Sequence, residues 1–115
     1  MRRLDSAKRS EAELRSQAAA EKLRDAENTA IHNVRAAGLN VNYAWERLDL
    51  TQKLFENASH AYDLADARYK LGSSSIVELS QAQLSKTEAD IAHTSAKYEY
   101  EIQRAILNFE IGMTQ

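Results

Sequence analysis

The 115-residue chain contains no cysteine and no proline, and only three glycines. The lack of cysteine excludes disulfide bonds and thiolate chemistry, and the lack of proline removes the residue that most often kinks a helix. Fifteen basic and 17 acidic residues give a formal net charge of -2, which argues against nucleic-acid binding. No segment approaches the roughly 20 consecutive apolar residues of a membrane-spanning helix. We therefore expect no direct membrane insertion by this chain.

The residues that are present favour an all-α fold, because alanine, leucine, glutamate, glutamine, lysine and arginine are abundant. One stripe of small and apolar residues repeats at alternating spacings of three and four, as in helices that pack along each other. It contains Val34, Ala37, Val41, Ala44, Leu48, Thr51, Phe55, Ala58, Tyr62, Ala65 and Tyr69. We call this stripe the inner face of the first helix.

A second stripe lies beside the inner face on the same helix. It contains Leu50, Leu54, Ala61, Leu64 and Leu71, with polar Arg47, Asn57 and Arg68 in its other positions. A helix with two such stripes needs neighbours on two sides. The pattern therefore predicts a wall of helices rather than a simple two-stranded coil.

The strongest break in the helical pattern lies at residues 71–75. Gly72 can adopt the left-handed conformation that ends a helix, and Lys70 complements the negative end of the helix dipole. Ser75 and Glu78 have the spacing of a capping box, in which each side chain accepts a hydrogen bond from the backbone amide of the other residue. These features predict a chain reversal at this point.

The whole chain, residues 1–115, is therefore predicted to form a single long antiparallel, coiled-coil-like helical hairpin. Its helices should cover about residues 5–71 and 76–111, with a tight turn at 72–75 and a stop at Gly112. The second helix has two stripes of its own. One contains Leu79, Ala82, Ala89, Ala96, Tyr100 and Leu107, and the other contains Val77, Leu84, Ile91, Tyr98, Ile102, Ala105 and Phe109.

The two predicted helices differ in length, about 100 Å against about 55 Å at 1.5 Å per residue. Roughly the first 30 residues would then have no neighbour within the chain. A break near Gly38 and Asn40 would instead give three helices of similar length in a bundle. We favour the straight helix, because a helical glycine costs only about 1 kcal/mol and the heptads pass through Ala37 and Val41 without losing phase.

Three segments of the chain carry a family resemblance. They are residues 26–34 with Tyr43-Ala44-Trp45, residues 67–79 with Ala82-Gln83-Leu84, and residues 96–100 with Ala105 and residues 107–112. In their order and spacing they resemble the TolC-like outer-membrane efflux protein family. The resemblance covers nearly the whole chain and is strongest over residues 62–112.

The resemblance implies that the chain is one hairpin of the periplasmic α-barrel of a trimeric export duct. The parent protein would lie in the outer membrane and periplasm of a Gram-negative bacterium and would serve tripartite efflux or type I secretion. The implied partners are the hairpin of a periplasmic adaptor, further copies in a homotrimer of the full-length parent, and an inner-membrane pump, which is reached indirectly. We expect the chain to be a soluble fragment, and a separate segment of the complete protein would cover the upper half of its long helix.

The resemblance also implies roles for residues at the tip. The adaptor-docking residues would be Gly72, Ser73, Ser74 and Ser75, and the residues at the duct entrance would be Tyr69, Glu78 and Gln81. Tyr69 matches a tyrosine whose hydrogen bonds help to hold the entrance shut. Ser74 stands where some members have a gate arginine, and Gln81 stands where a second acid can occur. Any gate in this member should have fewer charged constraints.

Simpler structural explanations exist for the same residues. A capping box alone would explain Glu78, packing would explain Tyr69, and any tight turn would require Gly72. Trp45 is expected to anchor packing rather than to bind a ligand. Composition and heptads alone would also permit a soluble helical-hairpin scaffold or dimerisation module, and neighbouring coding sequence would distinguish this alternative from an export duct.

No enzymatic or metal site is expected. The three serines of the turn have no histidine or acid paired with them in the sequence, as a nucleophile would need. The three histidines, His32, His60 and His93, lack the short spacings of a helical metal site and are assigned to solvent or to packing stripes. No cofactor is predicted.

Overall fold

The computed structural model describes residues 2–114 and consists of two antiparallel helices. Helix α1 covers Arg2–Lys70 and helix α2 covers Ile76–Thr114. The molecule is a thin rod with extents of 105 × 22 × 13 Å. This confirms the predicted all-α hairpin with its reversal at residues 71–75.

Helix α1 is continuous through Gly38, so the alternative of a three-helix bundle is wrong. Space around Gly38 is open, and its backbone needs no left-handed conformation. Each helix also extends beyond one of its predicted ends, whereas the other end of α1, Lys70, lies one residue before the predicted one. Helix α1 begins at Arg2 rather than at Asp5, and helix α2 passes through the predicted stop at Gly112. Gly112 has no positive φ, and a glycine in helical conformation weakens a helix without ending it.

The two helices pack through the stripes that were expected to meet. On the inner face of α1, the residues from Val34 to Ala65 are buried or half-buried, and on α2 the stripe from Leu79 to Leu107 is likewise covered. The most deeply buried residues are small ones, namely Ala37, Ala44, Thr51 and Ala96. Small side chains at these positions allow the two backbones to approach closely, while the larger residues between them pack above and below each close contact.

Polar side chains also contribute to this contact. The Thr51 hydroxyl donates to the Arg47 and Leu48 carbonyls at 2.8 and 3.0 Å and lies 3.4 Å from His93 Nδ1. The His93 ring stacks on Phe55 with ring centroids 6.2 Å apart. His93 therefore occupies a packing stripe, whereas His32 and His60 are exposed.

The first 28 described residues, 2–29, are all exposed, and we call this segment the upper arm. Leu4, Leu14 and Leu23 are each more than half exposed within it. The remainder of α1, residues 30–70, lies alongside α2 and is called the packed segment. The second stripes of both helices are exposed as well, so the rod retains open apolar faces along its sides.

Candidate functional site

The turn at the tip of the rod is built by a helix-ending motif centred on Gly72. Gly72 has a φ of 75°, the left-handed conformation that glycine adopts without steric cost. Its amide donates to the Tyr69 carbonyl at 3.0 Å, and the Ser73 amide donates to the Arg68 carbonyl at 2.8 Å. These two bonds form a Schellman motif, which satisfies carbonyls that the last helical turn leaves open.

Helix α2 begins with one half of the predicted capping box. The Ser75 hydroxyl accepts a hydrogen bond from the Glu78 amide at 3.2 Å, and the Ser75 carbonyl accepts one from the Leu79 amide at 3.3 Å. Among residues 2–114, the structure has no reciprocal bond from the Ser75 amide to the Glu78 carboxylate. Ser75 therefore caps the helix without help from the Glu78 side chain, which is exposed.

The residues predicted to dock an adaptor lie together at the end of the rod. Gly72, Ser73 and Ser75 are exposed, and Ser74 is half-buried. Within the described part of the chain, the Ser74 hydroxyl oxygen is buried and has no hydrogen-bond partner. The preceding residue, Leu71, is 81% exposed, so the tip presents an apolar side chain beside small polar ones.

The residues predicted at the duct entrance flank this turn. Tyr69 lies in the last turn of α1 and is 42% exposed, although it continues the inner face. Glu78 lies in the first turn of α2, and Gln81 follows it by three residues, which places both on one side of the helix. Both are exposed. All three side chains can therefore be reached from outside the hairpin.

Two basic residues lie at the end of α1, next to the tip. Arg68 and Lys70 occupy its last turn, where cations complement the helix dipole. Lys70 Nζ lies 2.9 Å from Asp66 Oδ2. The hydrogen bond to Asp66, together with its negative charge, raises the pKa of Lys70 above the ordinary lysine value. The Asp66 carboxylate thus favours the charged form of Lys70 at this end of the rod.

Of two polar residues in the helix contact, Lys86 was missed by the sequence reasoning, and His93 was assigned only to solvent or to a packing stripe. The ammonium group of Lys86 lies 4.8 Å from the centre of the Tyr62 ring, a distance at which cation and ring attract each other. Lys86 and His93 occupy the seven-residue repeat that joins Leu79 to Tyr100. That spacing was the signal that could have placed them on the packed stripe.

No group of three or more histidine, aspartate or glutamate side chains within residues 2–114 could hold a metal ion. The grooves along the rod are shallow, and the one near the middle of the packed segment is lined by Asn40, Tyr43, Arg47, Glu99 and Gln103. Neither described helix is both long and apolar enough to span a lipid bilayer.

Comparison with known proteins identifies the family. The chain matches the outer membrane efflux protein family over residues 4–112, which is nearly its whole length. Comparison with curated proteins gives no significant match, and comparison with solved structures gives none. The chain belongs to the outer membrane efflux protein family.

Membership of this family defines the class of protein. Its members are components of outer-membrane efflux ducts, not enzymes. They generally form trimeric ducts that interact with adaptor proteins, and they lie in the outer membrane and periplasm. The family therefore favours the export duct over the alternative of a scaffold or dimerisation module.

Proposed function

We propose that this hairpin is the periplasmic tip segment of a trimeric export duct that serves tripartite efflux or type I secretion. Its turn, residues 72–75, docks the helical hairpin of a periplasmic adaptor, and through the adaptor the duct reaches an inner-membrane pump. The observation that carries the proposal is the exposed turn at the end of a 105 Å rod, in a chain that belongs to an efflux-duct family.

The composition of the tip suits docking against another hairpin. Gly72 has no side chain, and the three serines that follow it are small, so a partner backbone can approach closely. The hydroxyls of Ser73 and Ser75 are exposed and can exchange hydrogen bonds with a partner. Leu71 adds an apolar contact at the edge of this surface. Such an interface depends on shape and hydrogen bonds more than on charge.

The same end of the rod contributes to the duct entrance. Because Ser75 caps α2 without a reciprocal bond from Glu78, the Glu78 carboxylate is available to face the lumen. Tyr69 lies on the neighbouring helix end, where its hydroxyl can bond to an adjacent hairpin. Gln81 and Ser74 are uncharged, so closure of this entrance depends on hydrogen bonds more than on ion pairs.

The docking role can be tested by adding bulk to the turn. Ser73→Trp adds a large side chain at an exposed position and leaves Gly72 free to keep its left-handed backbone. The binding partner is the hairpin of a cognate periplasmic adaptor, and its affinity is measured by calorimetry. We expect Ser73→Trp to weaken binding about tenfold or more, as disruption of a central contact does.

A matched control keeps this test specific. Ser10→Trp makes the same change at an exposed position of the upper arm, far from the tip. It should leave the affinity unchanged, and circular dichroism should show equal helix content in both variants. Equal binding by Ser73→Trp and the unaltered chain would show that the turn does not dock the adaptor.

A further inference from the structure

One groove between the helices, near the middle of the packed segment, combines charged groups of both signs. It is lined by Asn40, Tyr43, Ala44 and Arg47 of α1 and by Glu99 and Gln103 of α2, and its volume is about 250 Å³. Ala44 is only 5% exposed and forms the base of the groove. The helix contact therefore closes the groove from below, while its upper side is open to solvent.

The two charged groups of the groove are not paired with each other. Among residues 2–114, neither Arg47 nor Glu99 takes part in an ion pair. Glu99 Oε1 instead accepts a hydrogen bond from Gln103 Nε2 at 3.1 Å, which holds the carboxylate along its own helix. A guanidinium on one helix and a carboxylate on the other are thus both available to a ligand.

Gln103 adds a hydrogen-bond acceptor that has no donor. Because a carboxylate only accepts hydrogen bonds, the amide nitrogen of Gln103 must be the atom that faces Glu99. The amide oxygen is buried and has no hydrogen-bond partner within the described residues. Buried polar atoms are rarely left unpaired. Since Gln103 is only half-buried, rotation of its side chain can bring this oxygen to a donor in the groove.

These groups select a small zwitterion as the ligand. The groove is smaller than the roughly 300–1,000 Å³ of sites for drug-sized molecules. A carboxylate can form two parallel hydrogen bonds with the Arg47 guanidinium, and an ammonium group can donate to both Glu99 and Gln103. The Tyr43 side chain, 64% exposed, offers a ring against which an aromatic side chain can pack.

We propose that this groove binds a free α-amino acid with an aromatic side chain. The carboxylate of the amino acid binds Arg47, its ammonium group binds Glu99, and its ring packs on Tyr43. Binding is weak, with a Kd of about 1 mM, because a small ligand in an open groove gains little free energy per atom.

The groove lies on the same flank of the rod as Glu78. Glu78 and Glu99 are three heptads apart, so they occupy the same position relative to the helix contact. The proposed function places Glu78 at the duct entrance, and on that basis the groove faces the lumen, where it would contact amino-acid-like solutes during export. This location rests on the proposed function, whereas binding by the hairpin itself does not.

Three related compounds test the role of the two charges. Phenylalanine carries both charges, hydrocinnamate lacks the ammonium group, and phenethylamine lacks the carboxylate. NMR titration of the isotope-labelled chain measures each Kd from the backbone amides of residues 40–47 and 99–103. We expect phenylalanine to bind about tenfold more tightly than either of the other two compounds. Equal affinity for all three, or no shift of these amides up to about 50 mM phenylalanine, would overturn the proposal.

A matched pair of variants tests the contact with Arg47. Arg47→Gln should weaken phenylalanine binding about tenfold and leave phenethylamine binding unchanged, because phenethylamine has no carboxylate. Arg24→Gln makes the same change at an exposed position of the upper arm and should leave both affinities unchanged. Equal effects of the two variants, or weaker binding of both compounds by Arg47→Gln, would contradict the proposal.

The groove and the tip can be tested separately. Ser73→Trp should bind phenylalanine as the unaltered chain does, because Ser73 does not line the groove. Arg47→Gln should bind the adaptor hairpin as the unaltered chain does. Loss of phenylalanine binding in Ser73→Trp would show that the ligand binds at the tip and not in the groove.

Discussion

The two parts of α1 have the same secondary structure for different reasons. In the packed segment, residues 30–70, small side chains such as Ala37 and Ala44 are buried against α2. In the upper arm, residues 2–29, every residue is exposed. Isolated helices are marginal in water, and tertiary packing supplies most helical stability in proteins. The comparison indicates that intrinsic helix propensity alone supports the upper arm until another helix covers it.

Hydrogen exchange of the backbone amides should show the largest difference between the two parts. Amides of the upper arm exchange through local fraying of the helix, whereas the amides of α1 opposite Ala96 exchange only when the two helices separate. We expect exchange to be slower in the packed segment by a factor on the order of a hundred. The measurement is residue-resolved exchange on the monomeric chain at low concentration. Equal protection along α1 would show that packing against α2 is not what distinguishes the two parts.

A larger side chain at the close helix contact should produce the largest loss of stability. Ala96 has no exposed surface, so Ala96→Leu forces the two helices apart. We expect a loss of about 1–3 kcal/mol in the free energy of unfolding, the usual cost of overpacking. Urea denaturation followed by circular dichroism measures it.

Ala19→Leu is the matched control in the upper arm, where the side chain is exposed. Leucine and alanine have similar helix propensities, so the free energy of unfolding should change by less than about 0.5 kcal/mol. A loss as large as that of Ala96→Leu would show that the upper arm is packed in solution.

Replacement of Gly72 and of Gly38 by alanine should change the stability of the hairpin in opposite directions. Gly72→Ala places a Cβ on a left-handed backbone and should destabilise the hairpin by about 1 kcal/mol. Gly38→Ala meets no atom within 4 Å and should stabilise the helix by about 0.5–1 kcal/mol. Thermal unfolding of both variants measures the difference. A destabilising Gly38→Ala would indicate that the straight helix bends at this point.

Much of the fold could be predicted from the sequence, because the features that determine it are local. Heptad spacing defined the inner face from Val34 onwards, and the residues around Gly72 and Ser75 carry the chemistry of a helix end and a helix start. These features need no knowledge of distant contacts. The predicted turn was therefore confirmed in its position, in the left-handed backbone of Gly72 and in one of the two capping-box hydrogen bonds.

The predictions that were wrong depended on single residues whose local effect on structure is weak. Gly112 did not end α2, because a glycine without a positive φ only weakens a helix. Trp45 was expected to anchor packing and is 53% exposed, since it lies one position beyond buried Ala44 on the helix. The proposed roles of Ser73 and Glu78 involve partners on other molecules, so no pattern within this chain specifies them. Their roles stay predictions.

The smallest expected effect concerns the ion pair at the tip end of the packed segment. The hydrogen bond and charge of Asp66 raise the pKa of Lys70, so the pair contributes stability while Lys70 is protonated. That contribution is complete below the ordinary lysine pKa and is lost as the pH rises through the raised value.

Asp66→Asn should return the pKa of Lys70 towards the ordinary value, which NMR titration of the lysine side chain measures. Asp90→Asn, an exposed change on the other helix, should leave that titration unmoved. An unchanged Lys70 titration in Asp66→Asn would show that the pair does not form in solution. Because Lys70 is exposed and solvent screens the pair, its loss should be visible in the titration more readily than in the stability of the hairpin.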